Sequence, residues 1–330
     1  MSKLKIQNTL ENTKEEFIPV DPSNVRIYAC GPTVYDYAHI GNARMAVVND
    51  LLVRLLRTLF PKVTYVSNIT DIDDKIIEAA QTADIPFQEL TLKFEAIYNE
   101  DMAALGVHRP DVQPRATDHI AEMIALTKTL VKLGHAYEIK GHVLFHVPSF
   151  EKYGCLSGRN RDEQIAGSRV EVAPFKKDPA DFILWKPSPD PLPGWDSPWG
   201  FGRPGWHLEC SAMSEKTLGL PFDIHSGGMD LIFPHHENEI AQTCSAHKKI
   251  NNPKYFAKYW FHNGFVNVEG EKISKSIGNI RLVHEMIKEY KGEVLRMTLL
   301  SAHYRQPLNW TKGIIKQNST MLDRLYRTLK

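Results

Sequence analysis

The stretch from Val25 to Thr70 constrains the fold most. Val25-Arg-Ile-Tyr-Ala-Cys30 is a short, mostly apolar run with β character. Residues 43–59 then place Met45/Ala46, Val48, Leu52, Leu55, Leu56 and Leu59 at i, i+3, i+4 spacing, which predicts a helix. Pro61 stops that helix, and Lys62-Val-Thr-Tyr-Val-Ser-Asn-Ile-Thr70 reads as a second strand. Strand, helix and strand in so short a span form a βαβ unit. Such a unit implies a parallel sheet with a right-handed crossover.

The rest of the chain extends this α/β reading. Residues 73–106 and 117–133 read as helices ending at Leu105-Gly106 and Leu133-Gly134. Between about 140 and 205 the texture changes. Short β-like pieces, Val143–Val147 and Arg169–Val172, alternate with turns, and Pro187-Ser-Pro-Asp-Pro-Leu-Pro-Gly194 is a breaker cluster. We read this region as an insertion into the α/β domain. Periodic texture returns with a helix near 206–218, a strand at Phe222–His225, a helix from Pro234 to His247 and a strand at Phe261–Val268. A Gly-bounded loop at 269–279 precedes a helical remainder. There are no internal repeats or low-complexity segments.

Composition narrows the function classes. The 330 residues suggest about two domains on length alone. Hydrophobic residues at 42% and charged residues at 24% fit an ordinary globular protein and exclude disordered and fibrous classes. Lys and Arg number 40 against 39 Asp and Glu, so a dedicated polybasic nucleic-acid binder is disfavoured. The four cysteines include no C-x-x-C pair and do not make a disulfide scaffold. Met1–Phe17 lacks the apolar stretch of a signal peptide, and no apolar run reaches the ~18–20 residues of a membrane span. The expectation is a soluble cytoplasmic protein with no membrane partner.

Two segments carry candidate chemistry. Gly31-Pro-Thr-Val-Tyr-Asp-Tyr-Ala-His-Ile-Gly-Asn42 joins the first strand to the first helix. It delivers His39, Gly41 and Asn42 to a helix N-terminus at the carboxyl edge of a parallel sheet, where α/β folds bind phosphate. Gly41 permits close backbone approach, while His39 and Asn42 both carry donors; a capping Asn beside a surface His would look the same. Lys272-Ile-Ser-Lys-Ser276 lies in the Gly-bounded loop, and its lysines, Lys272 and Lys275, could neutralise charge building on a leaving pyrophosphate. Alone, such a segment is most often a solvated basic loop. Together, in this order, the two segments resemble the signature motifs of class I aminoacyl-tRNA synthetases. One departure is that the first ends in Asn42, where His is usual.

Longer stretches sharpen the resemblance. Cys30-Gly-Pro-Thr-Val-Tyr-Asp36, Asn68-Ile-Thr-Asp-Ile-Asp-Asp-Lys75, Gly205-Trp-His-Leu-Glu-Cys-Ser-Ala-Met213, Phe222-Asp-Ile-His-Ser-Gly-Gly-Met-Asp230 and Phe233-Pro-His-His-Glu-Asn-Glu-Ile-Ala-Gln242 look like the bacterial cysteinyl-tRNA synthetase family. So do Leu156–Asn160, Trp195–Trp199 and His303-Tyr-Arg305. The similarity runs from about residue 5 to 315. It implies a Rossmann-like class I catalytic domain with an inserted connective α+β domain and a C-terminal helical segment. The implied divisions are 1–116 and 201–268 for the catalytic halves, 117–200 for the insertion, 269–315 for the lysine loop and stem-contact region, and 316–330 for the start of a helical bundle.

The resemblance also implies a zinc ion held by Cys30, Cys210, His235 and Glu239. No spacing rule yields this set, because the ligands are scattered; read bare, the cysteines would be small core residues and His235/Glu239 a surface pair on one helical face. Pro234-His-His-Glu-Asn-Glu239 is not a zinc-protease motif, since Ile240 stands where the second His would be. Shape separates cysteine from serine by only about 1–3 kcal/mol, whereas zinc prefers a soft thiolate to a hydroxyl. Around the amino acid the family residues match Gly31, Thr33, Thr70, Trp206 and His225; for ATP with Mg²⁺ they match His39, Gly41, Asn42, Gly227, Gly228, Asp230, Lys272 and Lys275. Asp71, Asp73 and Asp74 are expected to cap the following helix and brace the site, and Cys155 and Cys244 to be structural.

The implied activity is ATP-dependent formation of cysteinyl-adenylate, followed by transfer to the terminal adenosine of tRNA(Cys) by a monomer. Two rivals share these features: a related ligase joining cysteine to an amino-sugar, and a catalytically silent tRNA-binding paralogue. The closing run Leu322–Lys330 has no Gly stop, and residues 311–330 carry five basic side chains against Asp323. This fits a catalytic body ending at the start of a basic helical region, short of an anticodon-binding part.

Overall fold

The computed structural model describes residues 3–167, 174–274 and 277–329. A short antiparallel hairpin, β1 (Lys5–Asn8) and β2 (Thr13–Glu16), precedes β3 (Val25–Ala29), α1 (Ile40–Leu59) and β4 (Val63–Ser67). β3 and β4 pair in parallel, as the βαβ pattern requires. The expected helix over 73–106 is broken into α2 (Asp74–Ala83) and α3 (Phe87–Ala104). Asp84 adopts left-handed backbone (φ 53°), and Pro86 lacks the N–H that would continue the ladder. The expected cap at Asp73 is present, its carboxylate accepting from the Lys75 N–H at 2.9 Å.

The inserted region opens with α4 (Ile120–Lys132) and builds an antiparallel sheet from β5 (Ala136–Ile139), β6 (His142–Phe145), β7 (Phe182–Pro187) and β8 (Gly202–Pro204), with α5 (Arg161–Gly167) between β6 and β7. The sheet therefore runs past residue 200. The β-like run Arg169–Val172 lies outside the described residues.

The chain then returns through α6 (Trp206–Leu218) and β9 (Phe222–Gly228), which is longer than its expected four residues and continues through both glycines. The helix expected from Pro234 begins regularly only at α7 (Glu237–Ala246). Before it, residues 232–236 form a wide π-type turn in which Phe233 is extended (φ −138°, ψ 133°). β10 (Ala257–Asn263) completes a four-stranded parallel sheet of order β10-β9-β3-β4.

The expected single strand 261–268 is two. β11 (Val266–Val268) leaves the main sheet at Gly264 and pairs with β12 (Glu271–Lys272) and, after α8 (Val283–Glu289) and α9 (Gly292–Leu299), with β13 (Leu308–Trp310). A Cβ at Gly264 would stand 2.5 Å from the Gln306 carbonyl oxygen, so the crossing needs glycine. α10 (Lys312–Thr328) ends the described chain, capped by Thr311. No helix among the described residues is long and apolar enough to cross a membrane.

Strand alternation positions the site. On β3, Ile27 and Ala29 join Val48, Leu52 and Leu56 of α1 in one core, while Tyr28 and Cys30 join Leu208, Cys210 and Ile240 in the other. Period two thus sends Cys30 to the face covered by α6 and α7.

Candidate active site and metal centre

Cys30 directly follows β3, Cys210 sits in α6, His235 in the wide turn and Glu239 in the first turn of α7. Their donor atoms all lie within 4.8 Å of one another, and all four side chains are buried. Cys30 Sγ is 3.4 Å from Cys210 Sγ and 3.6 Å from Glu239 Oε1; His235 Nε2 is 3.1 Å from that same oxygen. His235 and Glu239 therefore meet, although they do not share a regular helix.

This donor set fits a soft divalent cation. His235 Nε2 is buried, and its approach to Glu239 makes no well-formed hydrogen bond, so a ligating nitrogen is left without a proton partner. Burial holds the His235 imidazole well below its ordinary range, in the neutral form that ligates. Burial first, then the facing thiol and carboxylate, pushes the Cys30 thiol well above the usual thiol range; Cys210 is raised by burial too. A buried carboxylate beside two thiols, with no cation in its ion pairs other than imidazoles, is costly unless a positive charge compensates it. A bound metal supplies that charge and deprotonates the thiols.

Several partners went unread in the sequence. The other carboxylate oxygen, Glu239 Oε2, meets His225 Nε2 at 2.8 Å, and His225 stacks on Trp260 at 4.5 Å. The expected amino-acid residue His225 thus stands against a ligand carboxylate. His236 Nε2 lies 3.3 Å from Cys30 Sγ, and its Nδ1 lies 2.8 Å from His262 Nε2, so Cys30, His225, His236 and Glu239 form a second, overlapping donor group. His207 Nδ1 is 2.9 Å from His235 Nδ1. A run of histidines scattered over 207–262 has no spacing signal; only the fold gathers them.

The amino-acid residues border this centre. Trp206 stacks on the His235 ring at 4.1 Å. Gly31 donates its N–H to Asn68 Oδ1 at 2.9 Å, and a Cβ there would fall 1.6 Å from the Asn68 carbonyl oxygen. Thr33 bridges to Thr70 across the strand ends, and Thr70 Oγ1 donates to the buried carboxylate of Glu209 at 2.7 Å. Asp71 accepts from the Thr117 N–H and hydroxyl, while Asp74 pairs with Lys186 and Arg203, so these acids brace rather than line the centre.

Among the residues expected around ATP, His39 is the N-cap of α1. Its Nδ1 accepts from the N–H groups of Gly41 (3.0 Å) and Asn42 (3.3 Å), and Asn42 Oδ1 accepts from the His39 N–H at 3.1 Å. The amides that the sequence offered to a phosphate are thus occupied by the histidine. With Nδ1 accepting, the ring proton sits on Nε2, which keeps His39 a donor. Gly227 and Gly228 end β9, and Asp230 follows within electrostatic reach of His39. Lys272 stands at the end of β12 with Nζ 5.6 Å above the Phe265 ring. Lys275 lies outside the described residues.

Residues 16–320 match the family model described as tRNA synthetases class I (C) catalytic domain. The Cysteine--tRNA ligase of Rhodospirillum rubrum is 59% identical over 327 residues, covering 99% of this chain and 70% of its own length. Those of Parvibaculum lavamentivorans (59%; 99% and 69%) and Maricaulis maris (57%; 100% and 71%) are similar. The chain belongs to the cysteine--tRNA ligase family. Among solved structures, Mycobacterium tuberculosis methionyl-tRNA synthetase in complex with methionyl-adenylate superimposes with a TM-score of 0.69 at 16% identity, covering 89% of this chain and 68% of that one. At that identity it supports the class I synthetase fold alone. The chain spans about seven-tenths of the length of the cysteine--tRNA ligases it matches.

Proposed function

We propose that this chain activates L-cysteine with ATP and transfers it to the terminal adenosine of tRNA(Cys), using zinc held by Cys30, Cys210, His235 and Glu239. The observation that carries the reading is the buried cluster of two thiols, an imidazole and a carboxylate at the carboxyl edge of the parallel sheet, in a chain 59% identical to named cysteine--tRNA ligases. When bound, zinc supplies a soft Lewis acid that takes the substrate sulfur as thiolate and leaves the serine hydroxyl protonated.

The chain's own residues do the rest. Trp206, already stacked on His235, walls the amino-acid site and limits its size. Gly31, Thr33 and Thr70 border the ammonium and carboxylate of the substrate. His39 and Asn42 meet the phosphates and ribose of ATP; Gly227 and Gly228 admit the adenosine without a Cβ, and Asp230 accepts from the ribose hydroxyls. The cysteine carboxylate oxygen attacks the α-phosphorus in line, the bond to the β-phosphate oxygen breaks, and pyrophosphate leaves with Mg²⁺. Lys272 and Lys275 neutralise its growing charge. The terminal 2′-hydroxyl of tRNA then attacks the acyl carbon and AMP leaves. Positioning and charge stabilisation supply most of the rate, since no side chain among the described residues stands as a general base. Residues 1–116 and 201–268 serve as catalytic halves, 117–200 as the connective insertion, and 269–315 as the lysine loop and stem-contact region.

Cysteine-dependent exchange of labelled pyrophosphate into ATP, followed by charging of tRNA(Cys), tests this. Exchange with cysteine and rejection of serine are expected. Product on an amino-sugar acceptor with none on tRNA would overturn the choice of acceptor, and absence of exchange would overturn the activity.

A further inference from the structure

Arg44 has an unusual environment for a charged group outside the candidate metal centre. It lies in the second turn of α1, two residues beyond Asn42, and is fully buried. Its two terminal nitrogens donate to backbone carbonyls, while its buried Nε has no hydrogen-bond partner among the described residues. Nη1 donates to the carbonyls of Gly264 (3.0 Å) and Phe265 (2.7 Å), and Nη2 to those of His303 (3.2 Å) and Gln306 (2.7 Å). No ion pair to Arg44 is recorded among the described residues. A buried arginine without a counter-ion is expensive, and the fold tolerates it here because four carbonyls converge on one rigid fork.

Those four carbonyls mark one junction. Gly264 is where the chain leaves the main sheet for the small one, and its N–H donates to the Tyr304 carbonyl at 2.7 Å. Immediately beyond, Val266 pairs with Leu308 and Val268 with Trp310; β11 then pairs with β12, which carries Lys272. The far side of the lysine loop is tied to the same helix. The Ile40 N–H donates to the Arg281 carbonyl (2.9 Å), and the Val283 N–H to the Ala38 carbonyl (2.8 Å). The lysine-bearing sheet is therefore fastened to the N-terminal turns of α1 at both ends, by Arg44 before it and by residues 38–40 after it.

We infer that Arg44 is a positioning residue for adenylate formation: by clamping 264–265 and 303–306 it fixes where the sheet carrying Lys272 stands relative to His39. This rests on the proposed function and adds to it a residue that touches neither substrate nor metal. Arg44 places the group that neutralises pyrophosphate, so its loss falls on the ATP-dependent step. The metal-bound end of the site, carried by β3, α6 and α7, is left intact.

Arg44→Lys and Arg44→Ala test this in the full chain, with zinc content and thermal melting recorded alongside. Lysine keeps the charge but cannot span four carbonyls. The expected result for Arg44→Lys is full zinc content, an unchanged KM for cysteine, and pyrophosphate exchange reduced at least tenfold through kcat and the KM for ATP. Transfer of cysteine from preformed adenylate to tRNA should change less than threefold. Added ethylguanidine should restore part of the exchange activity to Arg44→Ala but not to Arg44→Lys. An exchange rate within twofold of the parent, or an equal loss in exchange and transfer, would overturn the inference. Should Arg44→Ala not fold, Arg44→Lys and Gly264→Ala, which wedges the same junction apart, decide it by the same comparison. Absence of exchange in the parent chain would instead sink the proposed activity, so the two failures are distinguishable.

Discussion

Glu239 Oε1 lies 3.1 Å from His235 Nε2 where a π-type turn runs into α7. An i, i+4 pair usually meets because a helix brings it round. Here His236 and Glu237 keep αR backbone between the pair, while the extended Phe233 and the π-type turn stand just before it, so His235 lies outside α7 and Glu239 in its first turn. The centre is thus made where regular structure gives way, with α7 supplying a rigid wall.

Removing one thiol should empty the centre. Cys210→Ala is expected to purify without stoichiometric zinc, against one equivalent in the parent. Its preference for cysteine over serine should shrink towards the ~10–200-fold that shape alone provides. Metal analysis and competitive exchange assays measure both. A variant that kept metal and selectivity would refute the ligand set.

His225 holds the second oxygen of Glu239, and among the described residues its buried Nδ1 has no hydrogen-bond partner. His225→Ala should weaken zinc by roughly 10–100-fold, the usual effect of losing a partner behind a ligand. Titration against a chelator of known affinity reads this directly. Unchanged affinity would place His225 in substrate binding alone.

Asn42 closes the capping box of α1, and the proposed function also gives it a role at the ATP phosphates and ribose. Asn42→Ala should cost about 1 kcal/mol of stability through the lost reciprocal cap. Asn42→Asp keeps the acceptor for the His39 N–H and brings a negative charge towards phosphate. Its melting temperature should hold while its KM for ATP rises severalfold. Melting curves and exchange kinetics on the pair separate the two roles.

Asp50 provides the pH test. Burial alone would raise its carboxyl, but the His108 N–H and the guanidinium groups of Arg296 and Arg54 outweigh burial and hold it below the usual range. A depressed native pKa stabilises the fold above the unfolded value near ~4, and that stability fades as pH falls through the native one. Asp50→Asn should cost about 1–3 kcal/mol at pH 7 and progressively less in acid. Denaturant unfolding from pH 7 to 3 should show the two proteins converging; a constant difference would contradict the assignment.

Local periodicity made much of the scaffold legible. The alternation in Val25–Cys30 and the 3.6-residue pattern of 43–59 mark the βαβ unit and the helix whose N-terminus holds His39. Breaks were harder to read. Asp84 interrupts a helical pattern by backbone handedness, which sequence periodicity does not register. Gly264 divides an apolar run because the backbone of Arg305 and Gln306 presses against it. β13 at Leu308–Trp310 is too short to carry a period and is stabilised by its partner across the small sheet.

The amino-acid sequence by itself determined which side chains are available and, through the strand period of two, that Tyr28 and Cys30 leave β3 on the face opposite Ile27 and Ala29. It also carried the family resemblance that names the four ligands. Only the tertiary structure decided that residues spread from 30 to 239 place their donor atoms within 4.8 Å, that Asn42 caps its own helix, and that Arg44 faces four carbonyls. The physical reason is range. Propensity and periodicity act over a few residues, whereas burial of thiol, imidazole and carboxylate in one pocket is fixed by how a parallel sheet, α6 and α7 exclude water together.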